Sequence, residues 1–127
     1  MAIRTELSLR LPNSPGALGR VCGLLSAERV SILALHLESS GRLRLVVDNP
    51  LHAAGVLRER QHEVEAREVL YVLLSNTPGA LAGSARLLVE AGINVEYAYG
   101  SAVEGTAQAA AIFGVADARR AATAAGL

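Results

Sequence analysis

Hydrophobic and polar residues alternate near the start of the chain, where Leu7, Leu9 and Leu11 are interleaved with Glu6, Ser8 and Arg10. That period of two predicts a strand with one buried face, stopping at Pro12-Asn13. Ser14 then suits a helix N-cap and Pro15 the first helical position, where a missing amide hydrogen costs nothing. The helix predicted from there buries Leu18, Val21, Cys22 and Leu25, spaced i, i+3, i+4 and i+7, and ends near Arg29. From Ser31 to Ser39 the alternation returns, with Leu33, Leu35 and Leu37 on one face and Ile32, Ala34 and His36 on the other. Ser39-Ser40-Gly41 supplies a tight turn into a third strand through Leu43, Leu45 and Val47, so the two pair as a hairpin. Asp48-Asn49-Pro50 opens a second helix through Ala53, Val56 and Leu57 to about Arg60, and Val64 and Ala66 mark a fourth strand.

This β-α-β-β-α-β order is the ferredoxin-like plan of the α+β class, an antiparallel sheet with both helices on one face. The pattern repeats from Val69 to Ser75, then through a helix at Pro78–Glu90, strands at Asn94–Ser101 and about Thr106–Phe113, and an alanine-rich helix from Asp117. The sequence reaches Leu127 with no room for a fourth strand, so the second module lacks its last strand. The sheet edge this leaves is expected to be paired or covered. No Gly or Pro separates His62 from Val69, and Val69-Leu70-Tyr71-Val72-Leu73-Leu74 is apolar on both faces. One long or bent strand shared by two sheets fits this run, as does a strand in the middle of its own sheet. The modules divide as residues 1–67 and 68–127.

The two halves share residues as well as pattern. Asn13-Ser14-Pro15-Gly16-Ala17-Leu18 returns as Asn76-Thr77-Pro78-Gly79-Ala80-Leu81, and in the same register Leu24 and Leu25 fall on Leu87 and Leu88, Val30 on Ile93 and Ile32 on Val95. Two copies of one small module follow. Each half is short enough to have a marginal core alone.

Composition narrows the function. Hydrophobic residues are 51% and charged residues 19%, which describes a globular chain rather than a disordered one. With 12 basic and 12 acidic side chains and only 3% aromatic residues, it has neither the positive excess nor the stacking surfaces that nucleic acid rewards. A single cysteine suits a reducing compartment, no apolar run is long enough for a membrane span, and the N-terminus enters a strand pattern directly. A cytoplasmic location is expected, with no nucleic-acid or membrane partner.

Catalytic groups are sparse. His36, His52 and His62 fall on different predicted elements without metal-ligand spacing, and Cys22 reads as core, so no catalytic residue, metal or cofactor is assigned. The duplicated loop is the better candidate. A helix start offers amide hydrogens without intrahelical acceptors together with partial positive charge, which suits a carboxylate. Gly16 and Gly79 keep side chains from shielding that backbone, and Asn13 and Asn76 can donate and accept hydrogen bonds. An α-amino acid would match such a site. The same residues also make an ordinary turn and cap. In a ferredoxin-like plan the end of the second strand lies at the same edge, which brings up His36, Glu38 and Ser39 in one half and Tyr97, Tyr99, Gly100 and Ser101 in the other. Tyr97 and Tyr99 serve either as walls of a pocket or as cross-strand packing beneath a dimer surface.

A strand, then Asn-x-Pro-Gly-Ala-Leu, a helix, and a strand opening with Gly92-Ile93-Asn94-Val95 resembles the ACT domain, in tandem over nearly the whole chain. The first copy departs from the pattern at Arg29-Val30-Ser31-Ile32. The resemblance implies a ferredoxin-like regulatory module, without catalytic activity, that binds small effectors, mostly amino acids, at interfaces between paired modules. Carried onto this sequence, it implies ligand-binding residues Asn13, Ser14, Gly16, Ala17 and Leu18 in one loop and Asn76, Thr77, Gly79, Ala80 and Leu81 in the other. Tyr97, Tyr99 and Ser101 join them from the strand edge. The Asn in place of a frequent acidic residue is similar to serine- and branched-chain-responsive members. A homodimer acting on a separate metabolic enzyme is the expected arrangement. The first copy resembles the small regulatory subunit of acetohydroxyacid synthase, although the tandem repeat argues against that assignment. A purely structural dimerisation module is the alternative. An acylphosphatase-like enzyme would want an arginine in the first loop, where neither copy has one.

Overall fold

The structure, a computed structural model, describes residues 2–126. Its strands are β1 (Ala2–Arg10), β2 (Ile32–Leu37), β3 (Arg42–Val47), β4 (Glu65–Ser75), β5 (Tyr97–Ala102) and β6 (Gln108–Gly114). The helices are α1 (Ala17–Ala27), α2 (Pro50–Glu59), α3 (Ala80–Glu90) and α4 (Ala118–Ala124). The chain forms two compact units, Thr5–Arg67 and Met1–Arg4 with Glu68–Leu127. Residues 2–4 group with the second unit.

In the first unit β3 lies between β1 and β2, antiparallel to both, so β1 and β2 run the same way. Leu7, Leu9, Leu43 and Leu45 meet Val21 and Leu25 of α1 and Ala53 and Leu57 of α2 in one core on one face of the sheet. The second unit repeats this with β6 between β4 and β5. Its core joins Leu70, Val72, Ala111 and Phe113 to Leu88 of α3 and Ala118, Ala121 and Ala122 of α4. The place of the missing strand, beside β4, is filled from the start of the chain. β1 is the hydrogen-bonded neighbour of β4, Ile3 packs against the second core, and the Arg4 guanidinium lies 5.1 Å from the centre of the Tyr71 ring. The segment after His62 is one strand, β4, whose first three residues belong to one unit and the remainder to the other.

Four local expectations change. Ser14 and Thr77 are not N-caps and Pro15 and Pro78 are not in the helices, which start two residues later at Ala17 and Ala80. Cys22 is only half buried, because the stripe that α1 buries is Ala17, Val21 and Leu25. Ile32 joins the helix-side core, since a register shift pairs Ile32 with Val47 and Ala34 with the adjacent Val46. Glu6 and Ser8, which alternation assigns to a wet face, are 0% and 6% exposed. The long side chains of β3 account for this, with Arg44 Nη1 3.4 Å from Glu6 Oε1 and Arg42 Nη1 donating to Ser8 Oγ at 3.4 Å. Asn49 and Asp117 do cap their helices, accepting from the amides of His52 and Arg120.

Candidate functional site

The repeated six residues build the same turn twice. Ala17 N–H donates to Ser14 O and Ala80 N–H to Thr77 O, both at 3.3 Å, while Gly16 sits at φ 85°, ψ −7° and Gly79 at φ 89°, ψ −12°. Proline followed by a left-handed glycine inside a four-residue hydrogen-bonded loop is a type II turn, and the third position requires glycine. The glycine is thus needed for backbone shape, and its bare surface is a consequence. Arg20 N–H donates to Gly16 O and Gly83 N–H to Gly79 O, each at 2.9 Å, as the first bond of each helix. The amides of Leu18 and Gly19, and of Leu81 and Ala82, precede that ladder and face the end of the helix with its partial positive charge.

A cleft opens at each loop. The first, of about 350 Å³, is lined by Asn13, Ser14, Gly16, Ala17 and Leu18 together with Leu37, Glu38 and Ser39 from the end of β2. Glu38 gives it a carboxylate, whose Oε2 accepts from Ser40 Oγ at 3.3 Å and whose Oε1 is 3.6 Å from Arg44 Nε. The second cleft, of about 680 Å³, is lined by Asn76, Thr77, Ala80, Leu81, Tyr99 and Ser101. Its remaining wall is apolar or small, with Leu74, Ala85, Val95, Ala98, Gly100, Ala111 and Phe113 among the residues, and no charged side chain lines it.

Two of the expected residues lie outside the clefts. Gly79 does not line the second cleft, and neither does Tyr97. The alternation of β5 explains Tyr97: Ala98 and Gly100 pair with Phe113 and Ala111 on the helix side, so Tyr97 and Tyr99 occupy the opposite face. There their rings stack with centroids 6.5 Å apart and planes 9° from parallel, and Tyr97 covers Gly114, where an added Cβ would come within 2.2 Å of the ring. Tyr99, on that same face, is nonetheless among the residues that line the cleft.

Asn76 has a more specific job than the sequence suggests. Its Nδ2 donates to Val103 O at 3.2 Å and Thr106 O at 3.0 Å, and its amide donates to Ala107 O at 2.9 Å. Both side-chain hydrogens tie the β5–β6 turn to the end of β4, which leaves Oδ1 as the atom available to an ammonium group. The histidines do not converge: His36 Nδ1 is 3.9 Å from Glu38 Oε1 and His52 Nε2 is 3.4 Å from Glu28 Oε2. Among the described residues no cluster of His, Cys, Asp and Glu could hold a metal ion, and no helix is long and apolar enough to cross a membrane. The apolar wall of the second cleft is the part that the sequence reading missed. Its signal lies in the alanine run Ala109-Ala110-Ala111, legible only once the hairpin register is known.

A family model described as an ACT domain pair matches residues 1–124. No curated protein matches the chain. Among solved structures, the protein BT0572 of Bacteroides thetaiotaomicron is 26% identical with a TM-score of 0.87, over 96% of this chain and 85% of that one. The regulatory subunit of aspartate kinase from Thermus thermophilus shares the fold at 18% identity and a TM-score of 0.69, over 98% of this chain and 92% of that one.

Proposed function

The chain belongs to the ACT domain family, and we propose that it is a sensor, without catalytic activity of its own, that binds a free amino acid at its repeated loops and acts on a separate partner enzyme. The observation that carries this is the recurrence of one arrangement in both units: a type II turn, unpaired helix-start amides and a cleft beside them. The amides suit the α-carboxylate. In the second unit Asn76 Oδ1 suits the α-ammonium, and in the first Glu38 does. A partner enzyme is in keeping with the shared fold of an aspartate kinase regulatory subunit. Homodimer formation is in keeping with β2 at the end of the strand order, where Leu33, Leu35 and Leu37 are 42%, 44% and 42% exposed.

Thermal denaturation against each of the twenty amino acids tests the sensor reading. A ligand at ~100 times its dissociation constant adds about 2.7 kcal/mol, a readily measured shift. No shift with any of them at millimolar concentration removes the reading.

A further inference from the structure

The two clefts differ in a way that residue pairing makes explicit. In the first unit the hairpin β2–β3 pairs Leu37 with Leu43 and Leu35 with Leu45, and both β3 leucines are fully buried. The equivalent pairs of β5–β6 are Gly100 with Ala111 and Ala98 with Phe113. On the helix above, Cys22 of α1 corresponds to Ala85 of α3. The rim is kept while the inward positions are cut back at Gly100, Ala98, Ala111 and Ala85, with Phe113 alone larger than its counterpart Leu45: Leu11 and Leu18 of the first copy are matched by Leu74 and Leu81 of the second, both lining the larger cleft. Gly100 has a backbone reason to be small, because a Cβ there would lie 2.6 Å from Ala110 O. Ala98, Ala111 and Ala85 line the same space with only a methyl group each. Protein interiors are close-packed, and a gap lined this way, beside a loop with ligand chemistry, is a gap shaped for something else.

We propose that the second cleft takes an α-amino acid with an uncharged, apolar side chain, which occupies the volume that Leu37 and Leu43 fill in the first unit, and that Ala111, Ala98 and Ala85 set this specificity. The inference rests on the sensor reading and names the ligand class for one of its two sites. Charged side chains are excluded because the wall offers them no counter-charge and would strip their water. In the first unit Leu37 and Leu43 stand at these positions and the cleft is about half as large, about 350 Å³, with Glu38 in its wall, so an aliphatic ligand side chain is less well accommodated there.

Isothermal titration of the full chain tests this with L-leucine, L-valine, L-methionine and L-phenylalanine against L-lysine, L-aspartate and L-threonine. The expected result is that the best apolar ligand binds at least tenfold tighter than any of the last three. Ala111→Leu, which restores the first unit's residue, weakens that ligand at least tenfold while circular dichroism and melting show a folded protein. Ala85→Leu narrows the cleft from α3 with the same effect, and serves where Ala111→Leu does not fold. L-lysine or L-aspartate binding as tightly as L-leucine overturns the ligand class and leaves the sensor standing. Unchanged affinity in the folded variants overturns the location, and absence of binding by all twenty amino acids overturns both readings.

Discussion

Residues at the very start of the chain stabilise the unit built from its second half, and removing their side chains tests that directly. In Ile3→Ala/Arg4→Ala the second unit loses a partly buried isoleucine from its core and the cation over Tyr71. Truncating a fully buried Ile costs roughly 2–5 kcal/mol, so a partly buried one gives about 1–2 kcal/mol. An exposed cation–π contact adds about 0.5–1 kcal/mol. The sum, on the order of 2 kcal/mol, accelerates exchange of the amides it protects roughly 30-fold. Native-state hydrogen exchange read by mass spectrometry is the assay. Peptides covering 68–75 and 108–114 are expected to lose protection by at least that factor, and those covering 42–47 to lose less. Loss of protection confined to 42–47 would refute the assignment of residues 2–4 to the second unit.

Other substitutions probe separate features. Gly16→Ala and Gly79→Ala each force a side chain into a left-handed backbone and are expected to cost about 1–2 kcal/mol in thermal unfolding, with Gly79→Asn costing less. Asn76→Ala is expected to lower stability in urea by about 1 kcal/mol through loss of the two bonds to the β5–β6 turn, whereas Asn13→Ala, with no such bonds, changes it by less than about half that. Glu6→Ala removes the buried one of two carboxylates beside the Arg44 guanidinium, Glu38 remaining 3.6 Å from Nε, and a loss of about 2 kcal/mol is expected in denaturant titration. Leu35→Arg charges the exposed β2 edge and is expected to convert a dimer to monomer by light scattering, with a retained dimer placing the interface elsewhere.

The order of elements, the repeat and the family were legible because they rest on local signals: alternation in β1, cap residues at Asn49 and Asp117, and a six-residue motif in duplicate. What escaped depends on partners distant in sequence. Glu6 reads as solvent-facing from its neighbours, and only the Arg44 side chain, placed by strand pairing, buries it. The single-residue shift at Ile32 and Ala34 moves Ile32 to the other face, and no residue type announces it. Ser-Pro-Gly reads as cap, first turn and bare backbone. The same residues are the signature of a type II turn, and the two options differ by a flip of the Pro–Gly peptide, recorded in the positive φ of Gly16 and Gly79. Tyr97 belongs to β5, but period-two alternation from the paired residues Ala98 and Gly100 puts its ring on the far face.

The conserved loop and the divergent walls divide the work of recognition between the copies. Asn-x-Pro-Gly-Ala-Leu fixes a backbone shape, and backbone amides cannot tell one amino acid from another. Discrimination falls to the side-chain wall, which is where the two units differ: four leucines in the first, and Ala98, Gly100 and Ala111 with Phe113 in the second. The difference also bears on packing, since a fully buried leucine such as Leu43 replaced by alanine, as at Ala111, forgoes roughly 2–5 kcal/mol. The second unit is therefore the less well filled of the two, and it is the one with the most to gain from an apolar ligand, about 2.7 kcal/mol at 100 times the dissociation constant. A sensor needs an element whose order the ligand changes, because a ligand shifts an equilibrium only by its differential affinity for the two states. Leucine-filled packing at Leu43 and Leu45 leaves the first unit little to respond with, whereas occupancy beside Ala111 completes a core that the chain itself leaves open.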